Sequence, residues 1–443
     1  MNLGKDLGWQ AGISIVGVAV LLVLGVIAME SYTLLIQRVP ESALRGPHVL
    51  FDAAVLLLAL LLLDRAHATP RAADGRGAAG VVPAPAMPSP RSGTRTLVAR
   101  FARSDDRRAS LQVASTLIPL GLLWWLVAVG HGWAVVLAVP VMSLFLLRAF
   151  ALMHDCGHRS LFRRGALNAA CGFVFGVLTG MPQYVWSRHH AYHHATNGNW
   201  SKYRGPLGTL SLEEFAQMSP ARQQQYRRAR WVGMAPLAGL MYLVVNPRLN
   251  WLRGCAALLV HLLRGGIAQP QVGWRAQARV FRTRHWASAA EFRHMSLNNL
   301  ALLGLWAAMS SLIGASLFFT VYLLATALAG AAGIVLFTVQ HNFDQAYASD
   351  DQGWDHETAA IHGTSFLELP GWLNWFTADI GYHHVHHLCA RIPNYRLAAC
   401  HAAHAEQFAE VRRLRLSDVL PSLRCLLWDR EARRIVSIDR FAR

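Results

Sequence analysis

Ten of the chain's 21 histidines fall in three short clusters: Met-His-Asp-Cys-Gly-His at 153–158, Arg-His-His-Ala-Tyr-His-His at 188–194 and Gly-Tyr-His-His-Val-His-His at 381–387. On a helix, residues three and four apart share a face. His154 and His158 therefore point one way, as do His190, His193 and His194, and again His383, His386 and His387. Each cluster offers its imidazoles to one region of space. Neutral imidazole suits iron, zinc, copper or nickel, and the scarcity of thiolates in the clusters argues against a structural zinc or an iron–sulfur centre. Eight aligned histidines exceed what one ion takes. The simplest arrangement is two metals, each with four or five nitrogen ligands and room for an exogenous one. Taken from the residues alone, this is an oxygen-activating or a hydrolytic dinuclear site.

The elements that must position these clusters are apolar. The chain has 443 residues, 53% hydrophobic and only 15% charged, with a mean hydropathy of +0.27, a composition that points to a membrane protein. Its net charge of +17 lies outside the apolar runs and comes mostly from arginine. A basic surface of this kind suits anionic headgroups or an acidic electron-transfer protein; no basic, aromatic-interleaved stretch suggests nucleic acid. The six cysteines form no Cys-x-x-Cys pair and read as scattered reduced thiols, Cys156 among them as a small buried residue.

Residues 12–29 and 49–63 read as a transmembrane hairpin, given about 20 residues per span. The stretch 66–98 is rich in Pro, Gly, Ala and Arg and reads as a linker. Nine arginines from Arg65 to Arg108 assign that side to the cytoplasm. Two spans, 113–128 and 133–150, then return the chain at Arg148 to the cytoplasmic side, next to the first cluster. The apolar stretch 166–185 is long enough to cross once but not twice, so it must be re-entrant or interfacial if the first two clusters share a side. The same holds for 231–245, while 255–263 is too short to span. Residues 300–339 contain no Lys, Arg, Asp or Glu and read as a second hairpin with its tip near Gly314, bringing His341 and the third cluster to the same face. The expected fold is all-α and integral to the membrane: a four-helix transmembrane core of two hairpins, interfacial helices, a cytoplasmic histidine-rich cap and an N-terminal transmembrane hairpin. The expected divisions are 1–65, 66–98, 99–400 and a polar cytoplasmic tail over 401–443.

The order His-x3-His, then Trp186 with His190, His193 and His194, then Gly-Tyr-His-x2-His-His-Leu followed by Ile392-Pro393-Asn394-Tyr395, resembles the integral-membrane fatty acid desaturases. The His-Asp-Cys-Gly-His form is most similar to their acyl-lipid branch, the omega-6 or delta-12 type. The resemblance covers roughly residues 110–400. It implies a pair of non-haem irons, molecular oxygen as co-substrate and a cis double bond introduced into an acyl chain of a membrane lipid. The implied ligands are His154, His158, His190, His193, His194, His383, His386 and His387. His341 stands where the family has an additional histidine and is the expected ninth. His189 and His384 are then neighbours of ligands. Asp155, Asp344, Asp355 and Asp379 are candidates to accept an imidazole's second N–H, and each reads equally well as an ordinary capping or solvated carboxylate. Trp186 and Trp354 match family positions, against the alternative of interfacial anchoring.

With no Rossmann fingerprint or fused haem domain in the sequence, the expected electron donor is a separate ferredoxin or b-type cytochrome with its reductase. The expected location is a bacterial cytoplasmic membrane, with the metal site on the cytoplasmic side. Two rival functions use the same histidines differently. One is oxygen insertion, as in membrane alkane hydroxylases or carotenoid hydroxylases and ketolases. The other is a metal transporter or sensor, disfavoured because the spans 113–128 and 300–339 carry no carboxylate or histidine.

Overall fold

The computed structural model describes residues 93–442 apart from His131 and Pro206. The expected hairpin over 1–65 and the linker up to residue 92 lie outside the described residues. The last linker residues begin a short helix, Thr94–Ala99, whose Val98 is buried in a cluster with Val385, Leu388 and Leu397. The described residues divide into a large unit and the segment Leu252–His285.

In the large unit, the helix Asp106–Val129 (α1) starts where the Asp105 carboxylate accepts the backbone N–H groups of Arg107 and Arg108. Gly132–Gly157 (α2) follows and carries the first histidine cluster at its end. Arg148 does not mark the return to a polar surface. It is 1% exposed, its Nε donates to Thr116 Oγ1 at 3.0 Å, another guanidinium N–H donates to the Trp375 carbonyl, and the group lies 3.8 Å from the Trp375 ring centre. Acceptors for two of its donors and an aromatic face over the group lower the cost of burying this cation.

The stretch 166–185 does not run straight. Gly165–Thr179 (α3) and Gln183–Thr196 (α4) meet at 100°. The break is local: Gly180 takes φ 80, a conformation other residues adopt at a cost, and Pro182 caps the next helix. Gly176 lets the chain fold back, since a Cβ there would stand 2.6 Å from the Met181 carbonyl oxygen.

The two short apolar runs over 231–245 and 255–263 join into one helical stretch, Val232–Ala268 (α5), which is long and apolar enough to cross a membrane. Polar residues at 246–248 broke the pattern in sequence, and the structure shows what absorbs them. Met241–Val245 widens to a π-turn just ahead of Pro247, where a proline cannot donate to the carbonyl four residues back. That carbonyl, on Leu243, accepts instead from Arg248 Nη1 at 3.4 Å, and Arg248 Nε donates to Asn299 Oδ1 at 2.6 Å. Ala289–Ile313 (α6) and Ala315–His341 (α7) form the second hairpin, with its tip at Gly314, φ 87. α5 and α7 touch backbone to backbone: a Cβ on Gly330 would stand 2.6 Å from Gly239 Cα.

The architecture is all-α and membrane-integral. Helices α1, α2, α5, α6 and α7 meet the length and apolarity of a span, as α3 and α4 do together. The residues after His401 differ from a polar tail. Leu210–Ser211 (β1) pairs in parallel with Leu427–Asp429 (β4), which pairs antiparallel with Arg434–Val436 (β5). Ser365–Leu367 (β2) pairs with Arg412–Leu414 (β3). Leu427, Trp428 and Ile435 are buried, and Trp428 Nε1 donates to the Ala348 carbonyl at 2.9 Å. These strands are three residues or fewer, too short for alternation to stand out among the surrounding arginines.

Candidate metal centre

Each cluster reaches the centre from a different element. α2 delivers His154 in its last turn and His158 immediately after it, and Arg159, at φ 56, turns the chain away behind them. α4 delivers His190, His193 and His194, and α7 ends on His341. The third cluster forms its own helix, His383–Leu388 (α8), two sides of which do different work. Val385 and Leu388 pack on Ile392 and Leu397, which turns His383, His386 and His387 to the centre. The loop before α8 is tied to α7 where Gln340 Nε2 donates to the Ile380 carbonyl at 2.7 Å.

Nine imidazoles meet in two groups, His154, His158, His190, His194 and His386 in one and His193, His341, His383 and His387 in the other. Within each group the ligand nitrogens lie within 4.8 Å of one another. The second and third clusters each contribute to both groups, so the groups are locked side by side. Ring centres of His193 and His194 stand 5.4 Å apart, and the His194 and His387 rings stack at 4.2 Å.

The donor set fits metal. His194 Nε2 lies 3.1 Å from His190 Nε2 and 3.0 Å from His386 Nε2, and His383 Nε2 lies 2.9 Å from His341 Nε2 and 3.1 Å from His387 Nε2. Nitrogens bound at right angles to an ion at about 2.1 Å stand about 3.0 Å apart, against about 3.4 Å for tetrahedral ligands. The observed spacing matches the first. His158 Nε2 and both ring nitrogens of His193 are buried without a hydrogen-bond partner, and such groups are costly unless something accepts their lone pairs. Burial, reinforced by neighbouring imidazoles, holds His158, His383, His386 and His387 well below the ordinary imidazole value. They are neutral at neutral pH, which is the form that binds a metal.

Of the four candidate carboxylates only Asp155 supports an imidazole. Its Oδ1 lies 3.2 Å from His154 Nδ1, and its Oδ2 accepts from Asn394 N at 2.8 Å and Asn394 Nδ2 at 2.9 Å. Gln112 Nε2 in turn donates to Asn394 Oδ1 at 2.6 Å. The Asn of Ile-Pro-Asn-Tyr thus holds the carboxylate that sets the His154 ring. Sequence offered the motif but no role for Asn394, and nothing in it pointed to Gln112. Such supports typically carry about 10- to 100-fold in metal affinity. Asp155→Ala should lose an amount in that range in a metal titration, with a smaller loss for Asn394→Ala; unchanged affinity in both would remove the support role.

Asp355 caps the helix His356–His362 through Thr358, and Asp344 is exposed beside Arg440. Asp379 faces Arg148. Burial pushes its carboxyl up to about 6, with Arg148 pulling the other way. A raised carboxyl value means the charged form is disfavoured in the fold, a penalty absent near pH 4 and complete above the folded value. Asp379 also holds φ 53, a conformation asparagine tolerates. Asp379→Asn should raise the thermal midpoint by a few degrees at pH 8 and leave it unchanged at pH 4.

The known proteins that this chain is similar to agree with the geometry. The fatty acid desaturase family profile matches residues 131–417. A fatty acid desaturase of Bacillus subtilis (strain 168) is 33% identical over 344 residues, covering 77% of this chain and 88% of its own. The chain belongs to the fatty acid desaturase family. Two sn-1 oleoyl-lipid 12-desaturases are more distant: that of Anabaena variabilis is 22% identical over 71% of this chain and 81% of its own, and that of Synechocystis sp. 25% over 68% and 78%.

In this desaturase, His189 and His384 belong to neither histidine group. His384 is fully buried, and its Nε2 pairs with His401 Nδ1 at 2.9 Å between Phe366 and Phe408. Trp186 is no interfacial anchor. It is buried, stacks on His190 at 4.5 Å and donates from Nε1 to Tyr242 Oη at 2.9 Å. Trp354 donates to the Asn197 carbonyl at 2.7 Å. Cys156 is buried with Gly172 against it, outside both groups. A small cavity lined by His193, Tyr203, His341 and Tyr347 adjoins the four-histidine group.

Proposed function

We propose that this desaturase introduces a cis double bond into an acyl chain of a membrane lipid at a pair of non-haem irons, held by His154, His158, His190, His194 and His386 on one side and His193, His341, His383 and His387 on the other. The single observation carrying this reading is the convergence of nine imidazoles in two groups, five and four, the ligand nitrogens of each within 4.8 Å of one another. The irons, when bound, supply oxygen activation. The overall change removes two hydrogens from adjacent saturated carbons, with dioxygen, two protons and two electrons yielding the alkene and two waters.

The chain's own residues prepare that change. Burial keeps His158, His383, His386 and His387 neutral. Asp155 accepts at His154 Nδ1, leaving Nε2 for the ion. Phe337, whose ring centre is 5.1 Å from both His193 and His341, and Trp186 wall the centre with apolar surface. An acyl chain offers no polar handle at the reacting carbons, so position is set by the shape of such walls and by headgroup contacts. The small cavity lined by His193 and His341 lies at the group with fewer imidazoles. The sn-1 oleoyl-lipid 12-desaturases named above support a lipid-borne acyl substrate.

Expression in a host lacking the product, followed by gas chromatography–mass spectrometry of total fatty acids, tests the reaction. A new double bond is expected; a new hydroxyl or keto group would mean oxygen insertion instead. The arginines from Arg65 to Arg108 support a cytoplasmic site, where an acidic ferredoxin or b-type cytochrome with its reductase would deliver electrons. Attraction between a basic face and an acidic donor weakens with salt. Turnover in a reconstituted assay should fall as ionic strength rises, and salt-independent turnover would remove this docking.

A further inference from the structure

The segment Leu252–His285 takes no part in the metal centre, yet its composition is one-sided. It contains Arg253, Arg264, Arg275, Arg279, Arg282 and Arg284 and no Lys, Asp or Glu. It folds as a hairpin: after Ala268 the chain turns and the short helix Trp274–Val280 comes back. His261 Nε2 stands 3.1 Å from the Gln277 carbonyl oxygen, Gln277 Nε2 donates to the Val272 carbonyl at 2.8 Å, and Gly265 leaves room for the Gln277 side chain, which a Cβ would meet at 2.3 Å.

The outside of this hairpin is apolar and cationic together. Leu259, Leu263 and Ile267, at four-residue spacing on one helix face, are 50%, 59% and 85% exposed, and Trp274 and Val280 are 65% and 67% exposed. Arg264, Arg275, Arg279 and Arg282 are exposed beside them, and the Arg275 guanidinium lies 5.2 Å from the Trp274 ring centre. Apolar side chains and a tryptophan rimmed by arginines are the composition of a surface that lies in a membrane interface against anionic lipid. Connectivity agrees. The hairpin issues from a helix apolar enough to cross a membrane and is followed, from Ala289, by another, so it cannot travel far from the bilayer.

We infer that Leu252–His285 is a headgroup-binding hairpin that docks on an anionic bilayer surface, its arginines engaging phospholipids of net negative charge while Leu259, Leu263, Ile267 and Trp274 enter the acyl boundary. The inference is independent of the metal centre. The full chain would be reconstituted in nanodiscs of phosphatidylcholine alone or with added phosphatidylglycerol, then treated briefly with trypsin. Cleavage after Arg275, Arg279 and Arg282 would be measured by mass spectrometry against cleavage after the exposed Arg222 and Arg228. Phosphatidylglycerol should slow cleavage in the hairpin several-fold relative to the reference sites, and high salt should restore it. Equal relative rates in both nanodiscs would overturn the proposal, as would protection that appears only when an acidic soluble protein is added. In a second measurement, Arg275→Gln/Arg279→Gln/Arg282→Gln protein purified in detergent should retain less phosphatidylglycerol than the parent. Retention unchanged would also overturn it.

Discussion

His193→Ala should abolish both iron binding and product formation while leaving the protein in the membrane at normal yield. His193 belongs to the four-histidine group, but its ring also stands 5.3 Å from His190 and 5.4 Å from His194, members of the other. Both of its nitrogens are buried without a partner. Its loss would therefore remove a donor from the four-histidine group and a wall from the five-histidine group. The effect should exceed the roughly 10- to 100-fold typical of changes to groups that only support a ligand. Fold is spared, because α4 stays anchored by Trp186 on Tyr242 and by Trp354 on the Asn197 carbonyl. Metal analysis of the purified variant, with fatty acid analysis of the expressing cells, is the check. Full iron content with normal product would contradict the assignment.

Gly330→Val should cost the protein its fold. α5 and α7 cross with Gly239 and Gly330 in backbone contact, and a Cβ on Gly239 would stand 2.5 Å from the Gly330 carbonyl carbon. Small residues at such crossings let helices in a membrane approach closely enough for dispersion to hold them together. Overpacking a tight contact typically costs about 1–3 kcal/mol, and here neither partner has a side chain that can swing away. Separation of α5 from α7 also displaces the helix that ends on His341. The variant should lose monodispersity in detergent or melt many degrees lower. Gly304→Val, on α6 where nothing lies within 4 Å of an added Cβ, is the matched control and should melt like the parent. Equal behaviour of the two variants would show that the crossing is not a critical contact.

The histidine faces were legible because helical spacing alone decides which imidazoles point together, and no tertiary contact is needed to see it. The second hairpin was equally legible: a long charge-free run with Gly314 in its middle has few other ways to fold. What the sequence hid depends on partners distant along the chain. Four carboxylates near the clusters looked equivalent, and Asp155 stands apart only because Asn394 and Gln112, 282 residues from each other, meet beside it. α5 looked like two fragments because Pro247 and Arg248 interrupt it; a π-turn absorbs the proline, and Asn298 Oδ1 and Asn299 Oδ1 on α6 accept from the Arg248 guanidinium. Arg148 counted as a surface charge until Thr116 and Trp375 closed over it. The strands after His401, Arg412–Leu414, Leu427–Asp429 and Arg434–Val436, were invisible because three residues are too few for alternation to show.

The most direct test of the two-ion centre is the metal content of the intact protein. The chain would be purified in detergent from iron-supplemented cells and its iron per polypeptide measured, with Mössbauer spectroscopy on an iron-57 preparation. Two irons per chain in nitrogen-rich sites are predicted, falling in His158→Ala, from the five-histidine group, as well as in His193→Ala. A single iron per chain, or a full complement that survives both substitutions, would contradict the account.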